Sequence, residues 1–446
     1  MTLINENQKP ARVITLRYKK QKVQAELVDM DNHSARPGDF RHYLNERLIM
    51  VNCVSRIFGL LVLSAGTVLA QEAPPKWMTE GPKLVGPTKT IDVPLTVRGT
   101  KQYVTVDLGG KPRRFVVDTG SPSMISSALV KELGLETIGR SQGMDAHGVI
   151  IESEIVQSRL KLGGVEFSNV PMFAADFQAS AALSYFIGDG VLGSELLKLG
   201  AWQIDLKNLR LRYSQDVTTL PNIKGATKIR LYDFGYPHAP IMDVRFAPHA
   251  RSKAIFDTGS PTCFAISPAD FNGAMKAGGV GGTITGNGSA GGSLGGQAPD
   301  RQQLQAELKT VSIGELDLGR VAAMGRASAP SLIGARLLEH FIVTFDLQSN
   351  TAFFLKCADG PLMRPSFGFS LAFDKQISVA VVWDNSPAAA AGLHPGTHIT
   401  TVNGEKLRLT SEGIRKAITA MAGQEIRLEW EGGSADPLEK TLVFER

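Results

Sequence analysis

The feature that most constrains this 446-residue chain is a motif that occurs twice. Residues 115–121 read FVVDTGS and residues 254–260 read AIFDTGS, so that two apolar strands each run into Asp-Thr-Gly-Ser. Each copy continues with proline and a hydroxyl residue, Pro122 and Ser123 in the first, Pro261 and Thr262 in the second. The likeness persists downstream: Val191-Leu192-Gly193 matches Leu332-Ile333-Gly334, and in both halves an aspartate follows the glycine by 12 positions, at Asp205 and Asp346. A self-similar chain of this kind folds its halves into like units related by an approximate twofold axis.

The fold class follows from local patterning. Residues 103–108, 114–118, 209–213, 254–257, 341–347 and 351–355 are short, apolar and rich in β-branched and aromatic residues, which reads as strand. Helices are expected to be brief, at Ser127–Leu133 and after Gly193 and Gly334. The expected fold is mainly β, with one lobe over 90–222, a second over 223–358, and a shared site between them.

The repeated loops define the chemistry expected at that site. Asp118 and Asp257 each end a buried strand. Gly120 and Gly259 allow a tight turn, Thr119 and Thr258 carry hydroxyls that can bond across the axis, and Ser121 and Ser260 can donate to the neighbouring carboxylates. Two carboxylates about 3 Å apart cannot both ionise, so they share a proton. The ionised one then activates a water while the protonated one donates to a carbonyl oxygen. A single Asp-Thr-Gly is an ordinary turn sequence; two copies in matched contexts are not.

With both loops and both apolar-apolar-Gly segments in view, residues 90–357 resemble an aspartic protease of the pepsin/retropepsin-like superfamily. The resemblance implies a bilobal double β-barrel, Asp118 and Asp257 as the catalytic dyad, interlocking Thr119 and Thr258, protein or peptide substrates, and no metal or cofactor. It also implies a flap over the cleft. In the first lobe this falls within 141–156, which lacks the tyrosine that pepsins place there and offers Met144, His147 and Ile150 instead, with His147 read as an exposed tip residue. The second flap falls within 278–296, where 10 of 19 residues are glycine; a mobile lid and a disordered loop both fit that composition.

Other motifs carry less. Residues 286–291 fit G-x-G-x-x-G and 291–295 fit G-x-S-x-G, but neither sits between a buried strand and a helix. His394 and His398 are interrupted by Pro395 and Gly396, so no metal site is expected. Cys263 and Cys357 are the two cysteines beyond the N-terminal region; they pair in an oxidising compartment or remain buried free thiols.

The two ends of the chain add localisation and a third module. Residues 57–70, IFGLLVLSAGTVLA, follow Arg56 and close on small residues, which reads as a signal peptide over 50–70. An uncleaved anchor is the other reading, although 14 residues are few for a span that needs about 20. Residues 1–49 then read as an upstream extension or a cytoplasmic tail, and 71–89 as a linker. After Cys357 the composition shifts. The run SPAAAAGLHPGTHITTVNG (386–404) resembles bacterial PDZ domains and places one over 362–446. That resemblance implies a carboxylate-binding loop at Phe367, Gly368 and Phe369, with a peptide C-terminus adding as a strand beside Ser370 and packing against a helix over 411–421.

The formal charge of +5 is concentrated before the mature part: residues 1–49 carry +3 and Arg56 adds +1, leaving +1 from Gln71 onward. Nucleic acid is therefore not an expected partner, and no stable membrane span is expected after signal cleavage. The expected function is an exported, periplasmic or secreted aspartic endopeptidase with a peptide-recognising C-terminal module. The alternative is a catalytically silent protease-like scaffold whose C-terminal module does the binding.

Overall fold

The computed structural model of the protein describes residues 13–19, 22–28, 74–87 and 90–441. Of the first unit, residues 1–72, it describes a two-stranded hairpin in which Val13–Lys19 pairs antiparallel with Lys22–Val28. The expected signal segment, 50–70, lies outside the described residues. No helix among the described residues is long and apolar enough to cross a membrane.

Everything from residue 73 onward forms one unit, mainly β. The first lobe comprises β1 (Lys101–Leu108), β2 (Lys111–Val117), β3 (Met124–Ser126), α1 (Ser127–Leu133), β4 (Thr137–Met144), β5 (Ile150–Leu162), β6 (Val165–Ala175), α2 (Ala181–Phe186) and β7 (Gly190–Leu192). Following the hydrogen-bonded pairs gives the order β6, β3, β7, β2, β1, β5, and β5 pairs back onto β6. The six strands therefore close into a barrel, which removes the open edges that β-rich chains must otherwise protect.

The second lobe repeats the plan. Its elements are β8 (Ile241–Ala247), β9 (Ala250–Asp257), β10 (Phe264–Ile266), α3 (Pro268–Lys276), β11 (Val280–Gly288), β12 (Arg301–Ile313), β13 (Leu316–Gly325) and β14 (Ser331–Gly334). The order β13, β10, β14, β9, β8, β12 closes through β12 onto β13. The two rings correspond strand for strand, as the sequence repeat requires.

Register shows why the apolar-apolar-Gly segments recur. In the first lobe β7 runs parallel to β2, with Val191 beside Val116 and Leu192 beside Val117. In the second, β14 runs parallel to β9, with Leu332 beside Ile255 and Ile333 beside Phe256. Alternation sends Val117, Leu192, Phe256 and Ile333 into one continuous apolar core that spans both lobes. A six-stranded sheet joins the lobes, with Ala201–Asp205 antiparallel to Phe341–Asp346 at its centre.

The segment expected to be a linker is partly structured. Lys76–Glu80 is a helix whose Trp77 is buried edge-on against Phe173 and Tyr236, and Lys83–Val85 pairs with β6. Burial of one large aromatic ring outweighs the Pro- and Lys-rich composition around it.

The C-terminal region has its own apolar core, including Phe367, Phe369, Ile377, Val379, Leu393, Ile399, Ile414's neighbour Ala417 and Ile426. It contains β15 (Phe369–Phe373), β16 (Ile377–Trp383) and α4 (Ser411–Ala422). Asn403 and Gly404 both have positive φ, 48° and 80°, and turn the hairpin between Ile399–Val402 and Glu405–Lys406. The closing strand is Gly433–Glu439.

This region is stitched to the second lobe. β16 pairs antiparallel with β11, matching Gly286 with Trp383 and Gly288 with Val381. The pairing explains two glycines of the rich segment. A Cβ on Gly286 would lie 2.6 Å from the Val382 carbonyl oxygen, and one on Gly288, at φ 129°, would lie 1.9 Å from that of Ala380. Residues 280–288 are therefore a strand held on both edges, by β12 and β16. Neither a mobile lid nor a disordered loop describes them; glycine here serves close backbone approach, and the turn lies beyond it, at 289–298.

Candidate active site

β2 and β9 deliver the two aspartates to the seam between the lobes, and the threonines that follow lock the seam. The Thr119 N–H donates to the Thr258 hydroxyl at 3.0 Å, and the Thr258 N–H donates to the Thr119 hydroxyl at 3.1 Å. Each hydroxyl in turn donates to a carbonyl of the opposite lobe, Thr119 to Phe256 at 2.6 Å and Thr258 to Val117 at 2.8 Å. Both threonines are buried, so all four bonds are shielded from water.

This lock brings the aspartates together. Each carboxylate accepts from the glycine two residues on: Asp118 from Gly120 at 2.9 Å and Asp257 from Gly259 at 2.8 Å. Each glycine also faces the other lobe's carboxylate. A Cβ on Gly120 would lie 2.4 Å from Asp257, and one on Gly259 2.3 Å from Asp118. Burial, and next the charge of Asp118, push the Asp257 carboxyl up to about 7. The pair therefore holds a proton under conditions where an ordinary carboxyl has lost it.

The serines do not act as expected. The Ser121 hydroxyl donates to the Pro122 carbonyl at 3.1 Å, and the Ser260 hydroxyl pairs with that of Thr262 at 3.1 Å. What Ser260 offers Asp257 is its backbone N–H, at 3.2 Å.

Residues 104–196 match the aspartyl protease family model. The matched stretch runs from within β1, through the first Asp-Thr-Gly-Ser loop, past Val191-Leu192-Gly193. It is an aspartyl protease-like domain, and the second lobe repeats its ring and its loop outside the matched region. No curated protein matches the chain.

Two further charged residues lie near Asp257 and a third lies behind the first loop, and no sequence motif marks them. Lys101 reaches from β1 into the second lobe, donating to the Gly259 carbonyl at 2.5 Å, and its charge opposes the upward push on Asp257. Arg326, half-buried just after β13, donates to the Pro330 carbonyl at 2.7 Å; burial lowers its pKa, and the charge of Asp257 works against that. Glu195 is fully buried behind the first loop, and Ser123 N–H donates to its Oε2 at 3.0 Å. Burial raises its carboxyl to about 7.

In the first lobe, β4 and β5 form a hairpin at the position where a flap is expected. Met144 and Ile150 flank its tip and are strongly exposed. His147 is instead half-buried, with Nε2 enclosed and unpartnered. The tip does not stand alone. Gly295 N–H, from the second-lobe turn, donates to Asp145 Oδ2 at 3.0 Å, and Ala146 N–H donates to Ser293 Oγ at 3.4 Å.

In the C-terminal region Phe367 and Phe369 are core residues, Gly368 turns at φ 82°, and Ser370 is exposed. β15 is the terminal strand of its sheet, and Phe186 of the first lobe lies 6.2 Å, ring to ring, from Phe373. Cys263 and Cys357 are separate free thiols, so the disulfide reading does not hold; burial raises both thiols, Cys263 to about 12. No cluster of potential metal ligands occurs among the described residues.

Proposed function

We propose that this protein is an aspartic endopeptidase that hydrolyses peptide bonds with a water activated between Asp118 and Asp257. The observation that carries this reading is the reciprocal packing of each loop glycine on the other lobe's carboxylate, and burial beside Asp118 pushes the Asp257 carboxyl up. The ionised Asp118 takes a proton from the water as its oxygen bonds to the peptide carbonyl carbon. Asp257 gives its proton to the carbonyl oxygen, forming a neutral tetrahedral diol. Asp118 then gives its proton to the amide nitrogen while Asp257 takes one from a diol hydroxyl, so that the C–N bond breaks, the carbonyl reforms and the mono-protonated pair returns.

The C-terminal region is read as a PDZ-type module that binds peptide C-termini. Support comes from its separate core, its strand and helix order, and the terminal position of β15, whose outer edge can accept a further strand. Export is read from residues 57–70.

Calorimetric titration with a statine-containing peptide, whose hydroxyl stands in for the diol, tests the dyad. Binding at pH 5 that disappears in Asp257→Asn is expected. Absence of binding by the wild-type protein from pH 4 to 7 contradicts the reading and favours a binding scaffold.

A further inference from the structure

A leucine from the second lobe packs, partly buried, onto an apolar cluster of the first. Along β2, Val116 and Asp118 are two residues apart and share a face, while Val117 points to the core. Val191 is in register with Val116, and Met124 with Val191, so both lie on the face that carries the Asp118 carboxylate. Phe177, Leu183 and Ile187 complete an apolar cluster around them, distinct from the main core, and Leu294 packs onto it. Leu294 sits in the turn at 289–298, between β11 and β12 of the other lobe.

Two observations indicate that this is a seated position. The turn is braced from within, by Ser289 Oγ donating to the Ala298 carbonyl at 2.6 Å and Ala298 N–H to that of Gly291 at 3.0 Å. It is also latched to the first-lobe flap through Gly295 and Asp145. The twofold repeat supplies a control. In the second lobe the counterpart of Val191 is Leu332, in register with Ile255, and it is only half-buried, whereas Val191 is 4% exposed.

Resting on the endopeptidase reading, we infer that Leu294 is the resting occupant of a substrate side-chain subsite formed by Met124, Leu183, Ile187 and Val191. The latched turn holds an aliphatic side chain of the protein's own where a substrate's aliphatic side chain enters. Substrate binding requires the turn to lift, so only the open fraction is competent and apparent affinity falls by that fraction. A leucine-sized side chain is the preferred one at this subsite, because it is what the recess already accommodates.

The test uses the full chain carrying Asp118→Asn and fluorescent peptides that differ only in Ala, Leu or Phe at one position. Leu294→Ala is expected to tighten binding of the Leu peptide by about tenfold, the gain available if roughly a tenth of the molecules are open at rest. It should leave the order Leu over Ala intact. Asp145→Ala, which breaks the latch without touching the recess, should tighten binding in the same direction, and amide exchange at 291–297 should quicken in both variants. Unchanged or weaker binding in Leu294→Ala, or no peptide binding at all, overturns the inference. Cleavage by the protein with Asp118 intact judges the endopeptidase reading separately, since the binding comparison needs no turnover.

Discussion

Gly259 lies so close to Asp118 that a methyl group there would sit 2.3 Å from the carboxylate, and Gly120 stands in the same relation to Asp257. The two Asp-Thr-Gly-Ser loops are thus each other's walls. Gly259→Ala should displace Asp118 and lower kcat by at least about 100-fold, the scale of losing a positioned acid or base. The barrel strands are unaffected, so the unfolding midpoint should move far less. Comparing kcat with the thermal midpoint separates these effects; near wild-type turnover contradicts the packing.

On the proposed chemistry, the charge of Lys101 beside the pair sets its pH range. Activity needs one proton on the pair, so the alkaline limb of kcat/KM should fall as pH rises through about 7, where Asp257 loses its proton. Lys101 works against that proton. Lys101→Met should move the alkaline limb to higher pH, and an unmoved limb would show that Lys101 is only a structural tie to the Gly259 carbonyl.

The threonine lock should appear in stability. Thr258→Ala leaves the Thr119 N–H and the Val117 carbonyl buried without these partners. Each such group costs about 1–3 kcal/mol. Thr258→Ser keeps the hydroxyl and should recover most of the loss. Denaturant unfolding of the two variants checks this; equal midpoints contradict it.

Glu195 links stability to pH. Its folded pKa, about 7, stands above the unfolded value near 4.5, so its contribution to stability is full below 4.5 and is lost as pH rises through 7. Asp257 acts with the same sign from 3.8 to about 7. Glu195→Gln cannot titrate and should flatten the fall in unfolding midpoint between pH 5 and 8, leaving the part due to Asp257. An unchanged slope contradicts the burial argument.

Much of this was legible because the repeat writes itself in sequence. Two Asp-Thr-Gly-Ser loops and two apolar-apolar-Gly segments predicted the paired lobes, and the closed rings bear out the mainly β double-barrel fold. What was not legible depends on partners far away in the chain. Nothing beside Lys101 announces that its amine reaches the second lobe, and Glu195, at the start of a short helical turn, looks like any exposed acid. Trp77 sits in a stretch whose composition signals a linker, and only Phe173 and Tyr236 give it a place to bury. The glycines at 286 and 288 read as mobility because the strand that crowds them, β16, lies almost a hundred residues on.

Asp118 and Asp257 are proposed to act as one shared-proton pair. The most direct test is mass-spectrometric detection of cleavage of a peptide library at pH 5 by the wild-type protein, Asp118→Asn and Asp257→Asn. Cleavage by the wild type and a loss of at least about 1,000-fold in each variant, with the fold retained, are expected. Wild-type cleavage by either variant would contradict the pairing.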